Sequence, residues 1–150
     1  MYKNKILNKK IFKVVIDSVP LISIDILLKK DNRVLLGKRI NKPAQGHYFT
    51  IGGRVFKNET LDQAIQRVAK FELNIDLKLT PKFIGVFEHF YDDGIYKDVS
   101  THYVNLAYEI EVENLPDFPF DQHAEYRWLT IDELFKSKQV HKYVKDYFKD

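Results

Sequence analysis

The chain has 150 residues, of which 45% are hydrophobic and 14% aromatic; its formal net charge is +3 and it contains no cysteine. That composition supports a packed core and excludes a disordered chain, and the missing cysteine excludes disulfides, thiolate chemistry and cysteine metal sites. A charge of +3 does not by itself argue for nucleic acid, but it is compatible with a small polyanionic substrate. The length suits one domain spanning 1–150. No apolar run approaches the roughly 20 residues of a membrane span, and residues 1–10 do not read as a signal peptide, so a cytoplasmic location is expected.

In chain order, Lys3, Lys5, Lys9, Lys10 and Lys13 give a solvated basic face. Behind them, Ile11, Phe12, Val14 and Val15 predict a short helix that ends near Pro20, which disfavours helix in the residue before it. Residues 21–28 and 34–40 read as strands joined by a turn at 31–33, and 41–46 as a loop carrying Pro43 and Gly46. Residues 47–51 predict a strand that runs into a tight glycine turn at Gly52-Gly53. Thr60 with Gln63 forms a capping box for the helix that follows. Leu61, Ala64, Ile65, Val68 and Ala69 fall on one face of it. Glu72 lies near the middle of that apolar arc; it either points into the interior or a cleft, where it needs a cationic partner, or swings out to solvent. Long strands follow at 83–91 and 102–112, a proline-containing loop at 114–122 and a short strand at 125–129. Thr130 and Glu133 cap a helix at 131–137, and a last helix is expected over 140–148. Helices separated by strand pairs suggest a mixed sheet covered on both faces.

Several short segments carry candidate chemistry. Lys38 and Arg39, at a strand end before the 41–46 loop, could bind phosphate oxygens or simply form an exposed basic end. Arg54 directly follows the glycine pair. Asp25 lies mid-strand among Ile22, Ile24, Ile26 and Leu27, where a carboxylate should be paired or functional. His89 and His102 sit in alternating aromatic and polar stretches that also suit ordinary half-buried strands. His123 stands on a loop beside Gln122, and its imidazole can accept a proton near neutral pH.

The stretch from Gly53 to Ile75 resembles a Nudix box, G-x5-E-x7-R-E-U-x-E-E-x-G-U with U a bulky aliphatic. Gly53, Glu59, Arg67, Glu72 and Ile75 match it. Val68 and Phe71 stand where two glutamates belong, Ala69 replaces an aliphatic, and Asn74 replaces the last glycine. One branch of that family, the GDP-mannose mannosyl hydrolases, shows the same losses. It also resembles this chain at Gly37-Lys38-Arg39 with Asn41 to Gly46, at His89 to Asp93, at Thr101-His102-Tyr103 and at Gln122-His123.

The resemblance implies an α/β Nudix sandwich of α/β/α layers with a mixed β-sheet. It also implies hydrolysis of GDP-mannose, or a related GDP-hexose, to GDP and free sugar, with water attacking sugar C1 and inverting it. Carried over residue by residue, Mg2+ (or Mn2+) is held by Gly52, Glu72 and Gln122. His123 is the base, while Arg39 and Arg54 stabilise the departing diphosphate. Asp25, Arg39, His89 and Tyr103 bind substrate, and Ile6, Leu7 and Phe12 lie near the guanine. A homodimer is implied, with no nucleic-acid or membrane partner. Two other readings stand beside it: a Nudix pyrophosphatase cutting the P–O–P bond of a nucleotide sugar or triphosphate, and a non-catalytic nucleotide-sugar-binding module.

Overall fold

Capping chemistry sets the helix starts in the computed structural model, which describes residues 6–77, 81–113 and 123–149. Asn8 accepts the Ile11 N–H at 3.0 Å and opens helix α1 (Lys9–Ser18). Both halves of the capping box form for α2 (Leu61–Leu73) at Thr60/Gln63 and for α3 (Ile131–Lys136) at Thr130/Glu133. Asn74 closes α2 in the left-handed conformation, φ 54°, so it occupies the position that the motif gives to glycine. None of the described helices is long and apolar enough to cross a membrane.

Among the described residues seven strands form one sheet: β1 (Leu21–Lys30), β2 (Arg33–Arg39), β3 (Tyr48–Phe49), β4 (Ile51–Arg54), β5 (Lys82–Tyr91), β6 (Thr101–Glu111) and β7 (His123–Thr130). Along the path β3-β2-β1-β6-β5, only β1 and β6 run parallel, so the sheet is mixed. One edge of β1 is shared. Lys29 and Lys30 pair with β2, whereas Ser23 to Ile26 pair with β4. Further along, β2 pairs with β7.

Alternation along β1 separates the two faces of the sheet. Ile24, Ile26 and Leu28 pack under Ala64, Ile65, Val68, Ala69 and Leu73 of α2. On the other face, Leu27 and Ala107 meet Tyr147, next to the short helix α4 (Lys142–Asp146). The mixed sheet with helices on both faces matches the predicted architecture.

Four local expectations are corrected. The predicted strand at 47–51 is two pieces, β3 and β4, with different partners. Gly52 and Gly53 are strand residues of β4, with no positive φ, and not a turn. A Cβ on Gly52 would lie 2.5 Å from Asp25 Oδ1 and 2.6 Å from the Ile24 carbonyl, and one on Gly53 would lie 3.0 Å from a Val68 methyl. Close approach, and not turning, is what requires glycine there. The last helix starts later than 140. Tyr48 donates to the Gln139 carbonyl at 2.8 Å and accepts from His141 N–H at 3.1 Å, so this segment extends the β3 edge before His141 caps α4. Leu61, placed on the apolar face by its spacing, is 43% exposed in the first turn of α2.

Candidate active site

Where β1 exchanges β2 for β4, a hollow of about 230 Å³ opens. Its walls come from β1 (Ser23, Asp25), the β2 end and following loop (Arg39, Pro43), β3 and its end (Phe49, Thr50), and β4 (Gly52, Gly53, Arg54). Strands β5 (His89, Tyr91) and β6 (Tyr103, Asn105) complete them. Of the residues singled out from sequence, Asp25, Arg39, Gly52, Arg54, His89 and Tyr103 meet here.

Two arginines bring cationic character. Arg39 is held by its own loop: its Nε donates to the Pro43 carbonyl at 2.7 Å, and its main chain bonds to His47 and Gly46 at 2.9 and 2.8 Å. With Nε engaged, the terminal N–H groups of the guanidinium are the donors that remain for a ligand. Arg54 lies between two rings, its Cζ 5.2 Å from the Phe12 centroid and 5.3 Å from that of Phe56. Burial lowers its pKa from the ordinary arginine value; Tyr103 opposes this and Arg67 adds to it.

The motif pair Glu59 and Arg67 fixes the backbone that carries Arg54. Arg67 Nε reaches Glu59 Oε1 at 2.6 Å, and its Nη2 reaches Glu59 Oε2 at 3.0 Å and the Arg54 carbonyl at 2.7 Å. Glu59 Oε2 also accepts the Phe56 N–H at 2.9 Å, which ties the loop to α2. Such a bidentate, largely buried pair is the strong form of the interaction.

Glu72 settles into the interior, 6% exposed, and its Oε2 has no hydrogen-bond partner. Desolvation pushes its pKa up to about 7, opposed by the charge of Arg39. The cation that spacing demanded is therefore Arg39, acting through its field. Thr50 Oγ1 and Asn105 Nδ2, both in the wall of the hollow, are likewise buried without a partner. Those two unpaired polar atoms in its wall suit the hollow to a polar ligand.

The opposite wall is carboxylate and aromatic. Asp25 is buried, and its pKa is raised to about 6 by desolvation, against the Tyr147 hydrogen bond, the Arg39 charge and Ser23. His89, 2% exposed, stacks flat on Tyr143 with centroids 4.2 Å apart and planes within 1°. Desolvation and then the His141 charge lower its pKa to about 4, so the ring is neutral at neutral pH. Burial raises the Tyr103 phenol, while Arg39 and Arg54 pull it back.

Other predicted positions lie elsewhere. Phe12 borders the site through Arg54, whereas Ile6 and Leu7 do not line the hollow and Ile6 is well exposed. Gln122 and the side chain of His123 fall outside the described residues. His123 opens strand β7 instead of standing on a loop, and its backbone registers with Arg39 after a shift that follows Gly37. Sequence reasoning missed Tyr91, Asn105, Tyr143 and Tyr147. The four-residue spacing of the last two was the available signal, since it puts both on one helix face.

The chain matches the NUDIX domain family model over residues 20–149. It is 37% identical over 137 residues to the low-salt glycan biosynthesis protein Agl8 of Haloferax volcanii, covering 91% of this chain and 85% of that protein. It is 27% identical over 150 residues to an ADP-ribose pyrophosphatase of Methanocaldococcus jannaschii, covering 99% and 85%. Among solved structures, a MutT NUDIX hydrolase from Burkholderia pseudomallei superposes with a TM-score of 0.72 at 23% identity, covering 87% of this chain and 96% of that one. The NUDIX domain of NrtR from Shewanella oneidensis, solved with ADP ribose, gives 0.66 at 15% identity, covering 95% and 96%. The sandwich, the ion-paired Glu59 and Arg67, the retained Glu72 and these matches place the chain in the NUDIX family.

Proposed function

We propose that this NUDIX protein hydrolyses GDP-mannose or a closely related GDP-hexose to GDP and free sugar, with water attacking sugar C1 and inverting it. The observation that carries the reading is the isolation of Glu72. At the two positions where the motif expects further carboxylates, Val68 is buried under Gly53 and Phe71 is 66% exposed. Among the described residues no group of three or more acidic or imidazole side chains could hold a metal. A site stripped of its usual carboxylates suits chemistry at carbon better than attack on phosphorus. The kinship with a glycan biosynthesis protein supports a sugar-linked substrate.

NUDIX hydrolases typically use divalent metals such as Mg2+. An unpartnered, buried carboxylate oxygen, that of Glu72, fits a hard cation that takes few protein ligands and completes its shell with water and phosphate. Glu72, the Gly52 carbonyl and Gln122 are the residues that would hold it. When bound, it would draw off charge from the diphosphate and so improve the leaving group.

The chain's own residues do the rest. Arg39 and Arg54 bind the diphosphate and receive the charge that builds on it as the glycosyl bond breaks. His123 takes the proton of the attacking water, and Asp25, His89 and Tyr103 hold the sugar. An inverting glycosidase needs an acid for the leaving oxygen; here the two guanidinium groups replace it, because diphosphate leaves readily. A homodimer belongs to the same reading, with Ile6, Leu7 and Phe12 near the guanine.

A second reading, cleavage of the P–O–P bond, is favoured by the kinship with the ADP-ribose pyrophosphatase. Incubation with a panel of nucleotide sugars, with and without chelator, separates the two by product. GDP and hexose, formed only without chelator, are expected. GMP and hexose 1-phosphate would replace the first reading with the second.

A further inference from the structure

The polar wall of the hollow is held from behind by residues that do not line it. Tyr143 and Tyr147 both come from the C-terminal segment, on the face of the sheet opposite α2. Tyr143 stacks on His89 and brackets the β5 backbone, accepting the Phe90 N–H at 3.0 Å and donating to the Phe90 carbonyl at 2.9 Å. The Tyr147 hydroxyl, on a side chain that is 5% exposed, donates to Asp25 Oδ2. It also lies 3.5 Å from His89 Nε2.

We infer that Tyr147 is a positioning residue for this site, which fixes Asp25 and His89 so that the hollow accepts a hydroxyl-bearing group beside the phosphate-binding arginines. The inference rests on the nucleotide-sugar reading. A phenol has one proton to give, and a carboxylate can only accept. With that proton directed at Asp25 Oδ2, the Tyr147 oxygen is left only to accept, so His89 Nε2, which faces it, is the donor. The geometry therefore sets His89 as the Nε2–H tautomer, with Nδ1 as its acceptor. On Asp25 the other oxygen, Oδ1, lies on the Gly52 side, where a glycine leaves room for it. Both groups are thus turned into acceptors. They suit the hydroxyl donors of a sugar and repel phosphate, which is left to Arg39 and Arg54. A phenylalanine at 147 would keep the edge contact with Phe87, 4.7 Å between centroids, but would lose the hydroxyl contacts to both Asp25 and His89.

Long-range 15N NMR of the histidine rings on the wild type and Tyr147→Phe tests this, together with titration calorimetry of GDP-mannose and GDP with Mg2+ on both forms in a His123→Ala background, where turnover is slowed. Expected are the Nε2–H tautomer of His89 in the wild type and a shift toward Nδ1–H in the variant. Affinity for GDP-mannose should fall about 10-fold in the variant, the size of one lost hydrogen bond, while affinity for GDP stays unchanged. An Nδ1–H tautomer in the wild type overturns the inference whether or not the variant folds. So does an equal loss of affinity for both ligands, or no loss for either. Failure of the underlying reading looks different: wild-type protein that hydrolyses no GDP-hexose with Mg2+ present defeats the nucleotide-sugar assignment, while the tautomer still judges Tyr147.

Discussion

Glu72 shows how far one residue can be read from spacing. Steps of 100° placed it on the apolar arc of α2, and the structure buries it there with an oxygen left unpaired. Asp25 was legible for the same reason, as a lone carboxylate in an apolar strand. Tyr147 was not, because its partner lies 122 residues away in sequence and no local pattern links a phenol to a distant carboxylate. His123 carries the sharpest prediction at this scale. His123→Ala should lower turnover of GDP-mannose by roughly 10²–10⁴-fold, the usual contribution of a general base, with little change in substrate binding. Steady-state kinetics with calorimetric affinity for GDP checks it, and a fully active variant would remove His123 from the mechanism.

Among the elements, α2 and the capping boxes of α2 and α3 could be read directly, since caps and amphipathic period are local signals. The glycine pair was misread as a turn for the complementary reason. Gly52 and Gly53 are required by what packs against them, Asp25 and Ile24 on one side and Val68 on the other. Register across strands decides that, and register is set only when β4 meets β1. The start of α4 was misplaced in the same way, because pairing with Tyr48 holds residues 139–141 extended. Gly52→Ala tests the close approach. Its methyl would fall within 2.5 Å of Asp25 Oδ1 and 2.6 Å of a backbone oxygen that cannot swing away. A loss of about 1–3 kcal/mol in denaturant-measured stability is expected, the range for overpacking, together with weakened ligand binding. Unchanged stability would mean that β4 does not lie against β1 as described.

Taken as a whole, the molecule encloses several ionisable groups whose effects on stability oppose one another. His89 and His141 both have pKa values lowered to about 4, chiefly by desolvation, so between about pH 4 and 6.5 the unfolded chain binds protons that the native state does not. Stability from these groups is complete above pH 6.5 and is lost as pH falls toward 4. Asp25 and Glu72, raised to about 6 and about 7, act with the opposite sign, since their native forms hold protons that the unfolded chain has released. The total pH profile therefore tends to cancel, and a difference isolates one group. Relative to His89→Gln, the wild type should gain about 1.2 kcal/mol per pH unit on going from pH 4.5 to 6. Denaturant titrations at several pH values measure this. Parallel profiles would contradict a buried, neutral His89.

The claim that matters most is that bond breaking occurs at sugar carbon, with a single acidic side chain at the metal site. Hydrolysis of GDP-mannose in 18O-labelled water, read promptly by 31P NMR of the nucleotide and mass spectrometry of the hexose, addresses it directly. The account predicts label in the hexose and GDP phosphates free of it. Label in the nucleotide or in a sugar phosphate would place the attack at phosphorus and contradict the account.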